Sequence, residues 1–333
     1  MEFTDEHKED ASIVIKKSKK QKPTVIILHA DKCWENDFIH YDLFPNFPIF
    51  NVSFSKYHSL QTTKDFENFF LDNNIEFGNN ILIFSSNRNM GDVWRMIDIS
   101  PILKPIIMFH LSDEFGIDKS AGYKEAYNIE LSKYTKLLLR HYHHVEHKIE
   151  TYDNIDCLPL GYTNGMITQS SITLPVPKHI YKRKYFWSFL GFIRDNREEM
   201  IQVFKNSKTG DYVCRNDAGK LEMYETYQDT VFVPIGRGNK VLDCFRIYEA
   251  IIAGAIPVIA GPKQEIEDCF KYENNPPWIF AENWTDALTE CKRLYKNKSE
   301  LIQRQYDIGE HWKNRVLNIR QKIQSVIDNN NSV

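Results

Sequence analysis

The stretch VFVPIGRGNKVLDCFRIYEAIIAGAIPVIAG, residues 231–261, predicts a strand, a turn, a helix and a second strand in immediate succession. Residues 231–235 form an apolar run of strand length, and residues 243–253 carry apolar side chains at helical spacing. Gly254 suits the left-handed position that follows a helix, and residues 256–260 continue at once as a strand. A strand that leads through a helix into another strand indicates a parallel sheet covered by helices.

The same alternation extends from this stretch over the whole chain. In the second half, further strands are predicted at residues 185–190, 212–214 and 278–281, a helix at 196–204, and a helical tail from 284 to about 327. In the first half, strands are predicted at residues 24–30, 49–54, 81–86, 106–111, 136–142 and 157–162, and helices at 64–73, 90–97 and 122–134. Two successive α/β units of this kind predict two Rossmann-like domains that face each other across a cleft, with ligands bound beyond the carboxyl ends of the strands.

The domain boundaries follow from changes in composition along the chain. A polar, proline-containing segment separates the two α/β units, and such segments are typical of linkers between domains. The predicted division is a flexible basic segment at residues 1–22, a first Rossmann-like domain at 23–165, a linker at 166–184, a second Rossmann-like domain at 185–298 and a C-terminal helical tail at 299–333.

The composition is that of a soluble globular protein and excludes several classes of partner. Of the 333 residues 42% are hydrophobic and 26% are charged, and the formal net charge is -3. This slightly acidic balance does not favour nucleic acid or an anionic membrane surface as a partner. No apolar run approaches the roughly 20 residues that span a bilayer, and the N-terminus lacks the apolar core of a signal peptide. We therefore expect no integral membrane segment and a cytoplasmic location.

The spacing of the six cysteines favours a reducing compartment. They are widely spaced and form no C-x-x-C pair, so neither a zinc site made of cysteines nor a compact disulfide framework is expected. They lie at Cys33, Cys157, Cys214, Cys244, Cys269 and Cys291.

A group that binds a diphosphate is predicted where the strand at 231–235 ends. The turn Gly236-Arg237-Gly238 allows backbone N–H groups to approach an anion, and the following helix adds a favourable dipole. Arg237 offers forked hydrogen-bond donors. Arg246 and Glu249 lie three residues apart on one face of the helix, where Glu249 could accept hydrogen bonds from a ribose and Arg246 could reach a diphosphate. The alternative is an ordinary strand–turn–helix–strand unit with a surface ion pair.

The segment FRIYEAIIAGAIPVIAG, residues 245–261, resembles the signature of the exostosin family of glycosyltransferases. The resemblance is specific in this segment and looser over about residues 100–265. It implies the GT-B fold of two Rossmann-like domains and the transfer of a sugar from a UDP-sugar, usually with inversion. It also implies that Glu249 contacts the nucleotide ribose, with Arg246 beside it, and that the loop around Arg237 lies on the donor side.

A second basic turn opens the same domain. The strand at residues 185–190 runs into Gly191, and Arg194 and Arg197 follow before the next helix. The glycine permits close approach of the backbone, and the arginines are suited to a diphosphate. Similar strand-Gly-x-x-Arg turns occur in the exostosin-like family, although solvated arginines at a strand–helix turn remain the alternative.

Two adjacent carboxylates, Asp113 and Glu114, follow the apolar strand at residues 106–111. An inverting transfer needs a base that takes the proton from the acceptor hydroxyl, and a carboxylate in a partly desolvated cleft can do this. Neighbouring side chains of an extended chain point to opposite sides, so one of the two is expected to face the cleft. The Ser-Asp-Glu sequence resembles the ribitol-xylosyltransferase branch of the family. Asp113 is the favoured base and Glu114 the second candidate, against helix capping or solvation as the alternative.

Acceptor-side residues are predicted at the ends of two further strands of the first domain. Arg140 and His141 end the strand at 136–142, and Tyr162 belongs to a Pro-Leu-Gly-aromatic segment. Both segments resemble family segments, although His141 stands where the family pattern has Asn. The histidines at 141, 143, 144 and 147 lack the carboxylate pattern of a metal site, so acceptor contacts or solvation are favoured over zinc.

The sequence contains no Asp-x-Asp motif, which in the other glycosyltransferase architecture holds a divalent ion on the donor diphosphate. We therefore expect no cofactor and no metal, with arginines and helix N-termini neutralising the leaving UDP. The resulting hypothesis is an inverting, metal-independent glycosyltransferase that uses a UDP-sugar, with xylose favoured, and a glycan acceptor. The alternatives are another UDP-hexose or a GDP-sugar as donor, or an inactive sugar-nucleotide-binding subunit of a glycosyltransferase complex. The oligomeric state stays open.

Overall fold

The structure is a computed structural model that describes residues 22–86, 90–113, 126–142, 152–193, 197–216, 218–238 and 241–331. Within these residues the chain forms two α/β units, each built on a parallel sheet, and a long C-terminal helix.

The first sheet, within the described residues, consists of six parallel strands: β1 Thr24–Leu28, β2 Ile49–Val52, β3 Asn80–Ser85, β4 Ile107–Leu111, β5 Leu137–Arg140 and β6 Ile155–Cys157. They lie in the order β2-β1-β3-β4-β5-β6. Strands β3, β4 and β5 are buried along their whole length, because helices cover both faces of the sheet and the strands are apolar at successive positions. The strands predicted at 24–30, 49–54, 81–86, 106–111 and 136–142 are confirmed.

The last strand of this sheet lies earlier than predicted. The prediction was 157–162, but pairing with β5 joins Ile155 to Leu138 and ends with Cys157 opposite Arg140. Two residues explain the early end. Pro159 has no N–H to donate to a neighbouring strand, and Gly161 has a φ of 70°. The segment after β6 is therefore a turn at the carboxyl edge of the sheet.

The helices of the first unit are α1 Phe54–Ser59, α2 Thr63–Asp72, α3 Met90–Leu103 and α4 Ala126–Ser132. Helix α2 begins at a capping box, in which Thr62 and Asp65 each accept a hydrogen bond from the other's backbone N–H. Helix α3 continues beyond the predicted end at 97, with Pro101 in its last turn. Helix α1 was not predicted. Of the helix predicted at 122–134, the part before residue 126 lies outside the described residues.

The second sheet, as far as the structure describes the chain, has five parallel strands: β7 Tyr185–Leu190, β8 Asp211–Arg215, β9 Thr230–Ile235, β10 Ile256–Ala260 and β11 Ile279–Ala281. Their order is β11-β10-β9-β7-β8. All five of the predicted strands in this half are confirmed. The chain crosses from β9 to β10 through a single helix, as the sequence at 231–261 predicts.

The remaining helices are α5 Arg197–Asn206, α6 Lys220–Gln228, α7 Phe245–Ile252, α8 Lys263–Phe270, α9 Trp284–Lys296 and α10 Lys298–Asn330. Helix α7 ends as its sequence predicts, because Gly254 adopts a φ of 72° and donates its N–H to Ile251 O at 2.8 Å. Helices α6 and α8 were not predicted, and the predicted tail divides into α9 and α10.

Helix α10 runs from the second unit back to the first. Its buried side chains form one face along its length: Leu301, Ile308, Trp312, Val316, Ile319, Ile323 and Ile327. Trp312 Nε1 donates to Ser171 Oγ at 2.8 Å, and Arg320 Nη2 donates to Tyr41 O at 3.1 Å. The predicted tail is therefore a brace that fixes both units and the linker. The described part of the chain has no helix that combines the length and the apolar character needed to cross a bilayer.

Candidate functional site

A cavity of about 610 Å³ lies between the two units. It is lined from the first unit by Lys32, Trp34, Ser85, Ser112, Tyr142, Leu160 and Thr163, and from the second by Phe192, Ile193, Arg197, Lys220, Gly238, Asp243, Cys244, Phe245 and Arg246. Nearly all of these residues stand at or after the carboxyl end of a strand. The cavity thus occupies the position where open parallel sheets bind ligands.

The first unit approaches the cavity through turns with unusual backbone geometry. Ser112, directly after β4, has a φ of 50°, and Tyr142, two residues after β5, has a φ of 61°. Residues other than glycine seldom adopt positive φ, and they do so chiefly where the surrounding structure holds them. These turns reverse the alternation of side chains, and they direct Ser112 and Tyr142 to the cavity lining.

Arg246 reaches the cavity from α7 and is held by the end of β7. Its Nε donates to Leu190 O at 2.8 Å. A Cβ on Gly191 would lie 3.3 Å from Nε and from Nη2 of Arg246, tighter than ordinary contact. Gly191 therefore serves to admit the guanidinium.

Glu249 lies beneath Arg246 and is completely buried. Its Oε2 accepts from Arg246 Nη1, and its Oε1 accepts from Thr163 Oγ1 at 2.5 Å and lies 3.4 Å from Lys220 Nζ. Burial alone would raise the pKa of this carboxyl, but the charges of Arg246 and Lys220 outweigh it, so the pKa is lowered. Glu249 is an ionised anchor for two basic residues that line the cavity, and it is not itself among the described lining residues.

Arg197 forms a second basic contact with the cavity, at the start of α5. Its Nη1 donates to Phe192 O at 2.8 Å, and its Nη2 donates to Arg237 O at 2.7 Å. A Cβ on Gly236 would overlap Cγ of Arg197, so the glycine is needed for this position. Arg194, predicted beside it, lies outside the described residues.

The residues of the predicted turn Gly236-Arg237-Gly238 occupy different surroundings. Gly238 lines the cavity, and a Cβ there would lie 2.5 Å from Asp243 O. Arg237 instead forms a bidentate ion pair with Glu265 of α8. Its Nη2 lies 2.5 Å from Oε1, and its Nη1 donates to Oε2 at 2.7 Å. Arg237 is not among the described lining residues, and its donor-binding role stays a prediction.

Asp113 belongs to a buried polar cluster behind the cavity. Its Oδ2 lies 2.5 Å from Arg140 Nη2 and accepts from Asn128 Nδ2 at 3.0 Å, while His110 Nδ1 lies 2.9 Å from Asn128 Oδ1. Asp113, His110 and Arg140 have no exposed surface. Asp113 is not among the described lining residues, and its role as the base stays a prediction. Glu114 lies outside the described residues.

The three residues predicted on the acceptor side are also fully buried. Arg140 pairs with Asp113, and Tyr162 packs against Phe38 with ring centroids 5.7 Å apart. His141 Nδ1 accepts from Ser112 N at 3.1 Å, and burial lowers the pKa of His141 to about 3, so its ring is neutral. These side chains support the cavity wall without lining it. The histidines at 143, 144 and 147 lie outside the described residues.

The cavity contains a carboxyl that the sequence interpretation missed. Asp243, just before α7, is 8% exposed, and burial together with the charge of Glu273 raises its pKa to about 8. At neutral pH Asp243 is therefore protonated and can donate a hydrogen bond. Lys220, at the start of α6, was also missed because that helix was not predicted.

The arrangement defines an α/β protein with two Rossmann-like domains and a cleft that is basic on the side of the second domain. Residues 175–331 match the family model described as "RXYLT1 C-terminal domain". No curated protein sequence matches the chain.

Three solved structures are similar in fold. A glycosyltransferase from Rickettsia africae ESF-5 is 9% identical, with 93% of this chain and 98% of that one covered and a TM-score of 0.56. Anabaena Alr3699/HepE in complex with UDP and glucose is 8% identical, with 92% and 100% covered and a TM-score of 0.53. The crystal structure of TarM, a protein of S. aureus, is 13% identical with a TM-score of 0.51. The match covers 78% of this chain and 57% of TarM. The chain therefore has the GT-B fold and spans little more than half the length of TarM.

Proposed function

We propose that this chain is a glycosyltransferase that moves a sugar from a UDP-sugar to a hydroxyl of a glycan acceptor. The observation that carries the proposal is the convergence of Arg197, Lys220 and Arg246 on one wall of the cavity between the domains. Three basic side chains in a partly enclosed site favour a ligand with several negative charges, such as a nucleotide diphosphate.

The residues on the second-domain side of the cavity are suited to stabilising a diphosphate as the leaving group. Arg246 is fixed by Glu249 and Leu190 O, and Arg197 is fixed by two backbone carbonyls. Guanidinium groups held in advance stabilise charge as it develops on a leaving group, without reorganising during the reaction. Helix α7 begins at the same wall, where its dipole favours negative charge. Transfer without a divalent ion rests on these groups.

The residues on the first-domain side of the cavity are suited to a carbohydrate acceptor. Trp34 is 61% exposed at the cavity edge, and Ser85 and Ser112 bring hydroxyl groups to the wall. An exposed aromatic ring with a few hydroxyl groups fits a sugar, which has apolar ring faces and polar edges.

The donor sugar and the catalytic base are assigned from the resemblance to the ribitol-xylosyltransferase branch and from the contacts of Asp113. Xylose is the favoured donor sugar because the Ser-Asp-Glu sequence resembles the ribitol-xylosyltransferase branch, and because the RXYLT1 C-terminal domain model matches residues 175–331. An inverting transfer needs one carboxylate to accept the acceptor proton. Since Asp113 is committed to Arg140, we assign that role to Glu114 and a positioning role to Asp113.

The test is a panel of UDP-sugars and GDP-fucose incubated with the protein and followed by NMR for donor binding and donor hydrolysis. We expect UDP-xylose to bind and to be hydrolysed slowly without an acceptor. The Arg246→Gln variant should lose both signals, whereas Arg293→Gln, a matched change on the outer face of α9, should keep them. Binding without turnover of any donor, with or without glycan acceptors, would favour the inactive nucleotide-binding subunit. Absence of binding by every nucleotide sugar would contradict the proposal.

A further inference from the structure

Three potential metal ligands meet beside the first sheet, outside the lining of the cavity. His29 follows β1, His58 lies in α1, and Asp92 lies in the first turn of α3. One ring nitrogen from each histidine and one carboxylate oxygen of Asp92 lie within 4.8 Å of one another. The cluster therefore joins three separate segments of the first domain, the ones that follow β1, β2 and β3.

The histidines carry nitrogen atoms whose hydrogen-bonding capacity is not used. Within the described part of the chain, Nε2 of His29 and Nε2 of His58 are both buried and lack a hydrogen-bond partner. His29 is 3% exposed. Buried polar atoms almost always have a partner, so two such nitrogens in one cluster need an explanation. A bound cation would satisfy both.

The surroundings suit a cation held by imidazole. The ring of His29 packs against Tyr57 with centroids 4.1 Å apart, and His58 packs against Phe54 at 4.3 Å. This aromatic shell limits competition from water.

The charges near the cluster are mixed. Asp92 and Asp31 are both acidic, and Asp31 accepts from Phe54 N at 2.6 Å. The guanidinium of Arg95 lies 4.9 Å from the Tyr57 ring centroid and opposes a cation. Two acidic side chains outnumber one guanidinium, so the local charge favours a cation.

We propose that His29, His58 and Asp92 bind a divalent transition metal ion of the zinc class. Two imidazoles and one carboxylate are a donor set typical of Zn²⁺ and related ions, whereas Mg²⁺ and Ca²⁺ prefer oxygen donors alone. Bonds of about 2.0–2.2 Å bring donors to roughly 3–4 Å from each other, so small rotations of the half-buried His58 complete the site. Water fills the remaining position.

The ion braces the first domain and takes no part in neutralising the donor diphosphate. It ties together α1, α3 and the loop after β1. Lys32, three residues after His29, lines the cavity between the domains. The site therefore holds the loop that forms one edge of that cavity, while the basic residues of the second domain remain separate from it.

The experiment titrates the full chain, first treated with a chelator and then freed of it, with Co²⁺ as a spectroscopic probe and Zn²⁺ as competitor. We expect one equivalent of Co²⁺ to give visible absorption bands typical of nitrogen and oxygen ligation, and Zn²⁺ to displace it and raise Tm. His58→Gln and Asp92→Asn should each weaken Zn²⁺ binding by at least about tenfold. His179→Gln, at an exposed position in the linker, should bind as the wild type does.

Two outcomes would overturn the proposal. One is the absence of stoichiometric Co²⁺ and Zn²⁺ binding by the wild-type chain, which decides the question even if a variant is unstable. The other is unchanged binding by a folded His58→Gln variant, which would place the ion elsewhere, for instance on the histidines at 141–147. The unfolding midpoint of each metal-free variant shows whether it is folded.

Discussion

Thr163 of the first domain donates a hydrogen bond from Oγ1 to Oε1 of Glu249 in the second domain, at 2.5 Å and without exposure to solvent. Glu249 also holds Arg246 and Lys220, which line the cavity between the domains. The relative position of the domains is thereby linked to the basic groups on the donor wall. In enzymes with two domains, closure of the domains can assemble a reactive site and exclude water.

Replacing Thr163 with Val should weaken this link. The isosteric change removes the donor and leaves a buried carboxylate oxygen with one partner fewer, so the free energy of unfolding should fall by about 1–2 kcal/mol. UDP binding should weaken because Arg246 and Lys220 lose part of their support. Chemical denaturation and calorimetric titration with UDP measure the two effects. Thr163→Ser should behave like the wild type, and equal UDP affinity in all three proteins would refute the link.

Gly236→Ala tests whether the glycine serves Arg197. The added Cβ overlaps Cγ of Arg197 and should displace its guanidinium from the cavity. Losing one charge-assisted hydrogen bond should weaken UDP binding by about 1–3 kcal/mol. Gly309→Ala is the matched control, because nothing lies within 4 Å of a Cβ at that exposed position in α10. Calorimetric titration with UDP decides, and unchanged affinity in Gly236→Ala would remove Arg197 from the donor site.

The fold could be predicted from the sequence because buried parallel strands are apolar at successive positions. The run at residues 107–111 is an example, since all five of its residues are buried. The short helix α1 escaped prediction because six residues, Phe54–Ser59, carry too little periodicity to separate them from the end of a strand. Helix α6 escaped for a related reason, since its apolar positions do not form a clear stripe along Lys220–Gln228.

The site could be predicted only to the nearest residue or two. The sequence interpretation selected Asp113, His141 and Tyr162, whereas Ser112, Tyr142 and Thr163 line the cavity. The alternation rule for extended chains fails at these positions, because Ser112 and Tyr142 leave their strands with positive φ. A rule that considered the two residues beyond each strand end would have included Ser112 and Tyr142, but not Thr163, which follows the turn after β6.

Glu114→Gln and Asp113→Asn should separate the base from its neighbour. Glu114→Gln should abolish transfer with little change in UDP affinity or stability, as expected of a base. Asp113→Asn should lower the free energy of unfolding by about 3–5 kcal/mol, because Arg140 remains buried without its countercharge. Transfer assays and denaturation curves distinguish the two.

The double variant Asp113→Asn/Arg140→Met is the control for this pair, since it removes the unpaired charge and should restore much of the stability. Wild-type turnover by Glu114→Gln would move the base role elsewhere. Undiminished stability in Asp113→Asn would show that the buried ion pair contributes little.

Asp243 should make stability and UDP binding depend on pH. Its pKa in the folded protein is raised from 3.8 to about 8, so the folded state keeps a proton that the unfolded state releases. The contribution of Asp243 to stability should therefore fall as pH rises from about 4 to about 8 and be constant above that. Above about pH 8 its negative charge should also oppose a bound diphosphate. Denaturation and UDP titration from pH 5 to 9 measure both effects.

Asp243→Asn is the control, because the amide keeps the shape and cannot ionise. The difference in stability between Asp243→Asn and the wild type should grow with pH, and UDP affinity of the variant should change less above pH 8. A constant difference across the range would show that Asp243 does not titrate as described.

Transfer should not require added Mg²⁺ or Mn²⁺. Arg197, Lys220 and Arg246 supply fixed positive charge at the donor wall, which can take the part that a divalent ion plays on a leaving diphosphate. Initial rates measured with and without either ion should agree within a factor of about two, a difference of less than 1 kcal/mol in activation free energy. The same comparison with Arg246→Gln supplies the control: its rate should be low in both conditions, because the ion has no ligands prepared for it. A wild-type rate that rises manyfold with Mn²⁺ would show that these basic side chains are insufficient and that the donor diphosphate arrives with its own cation.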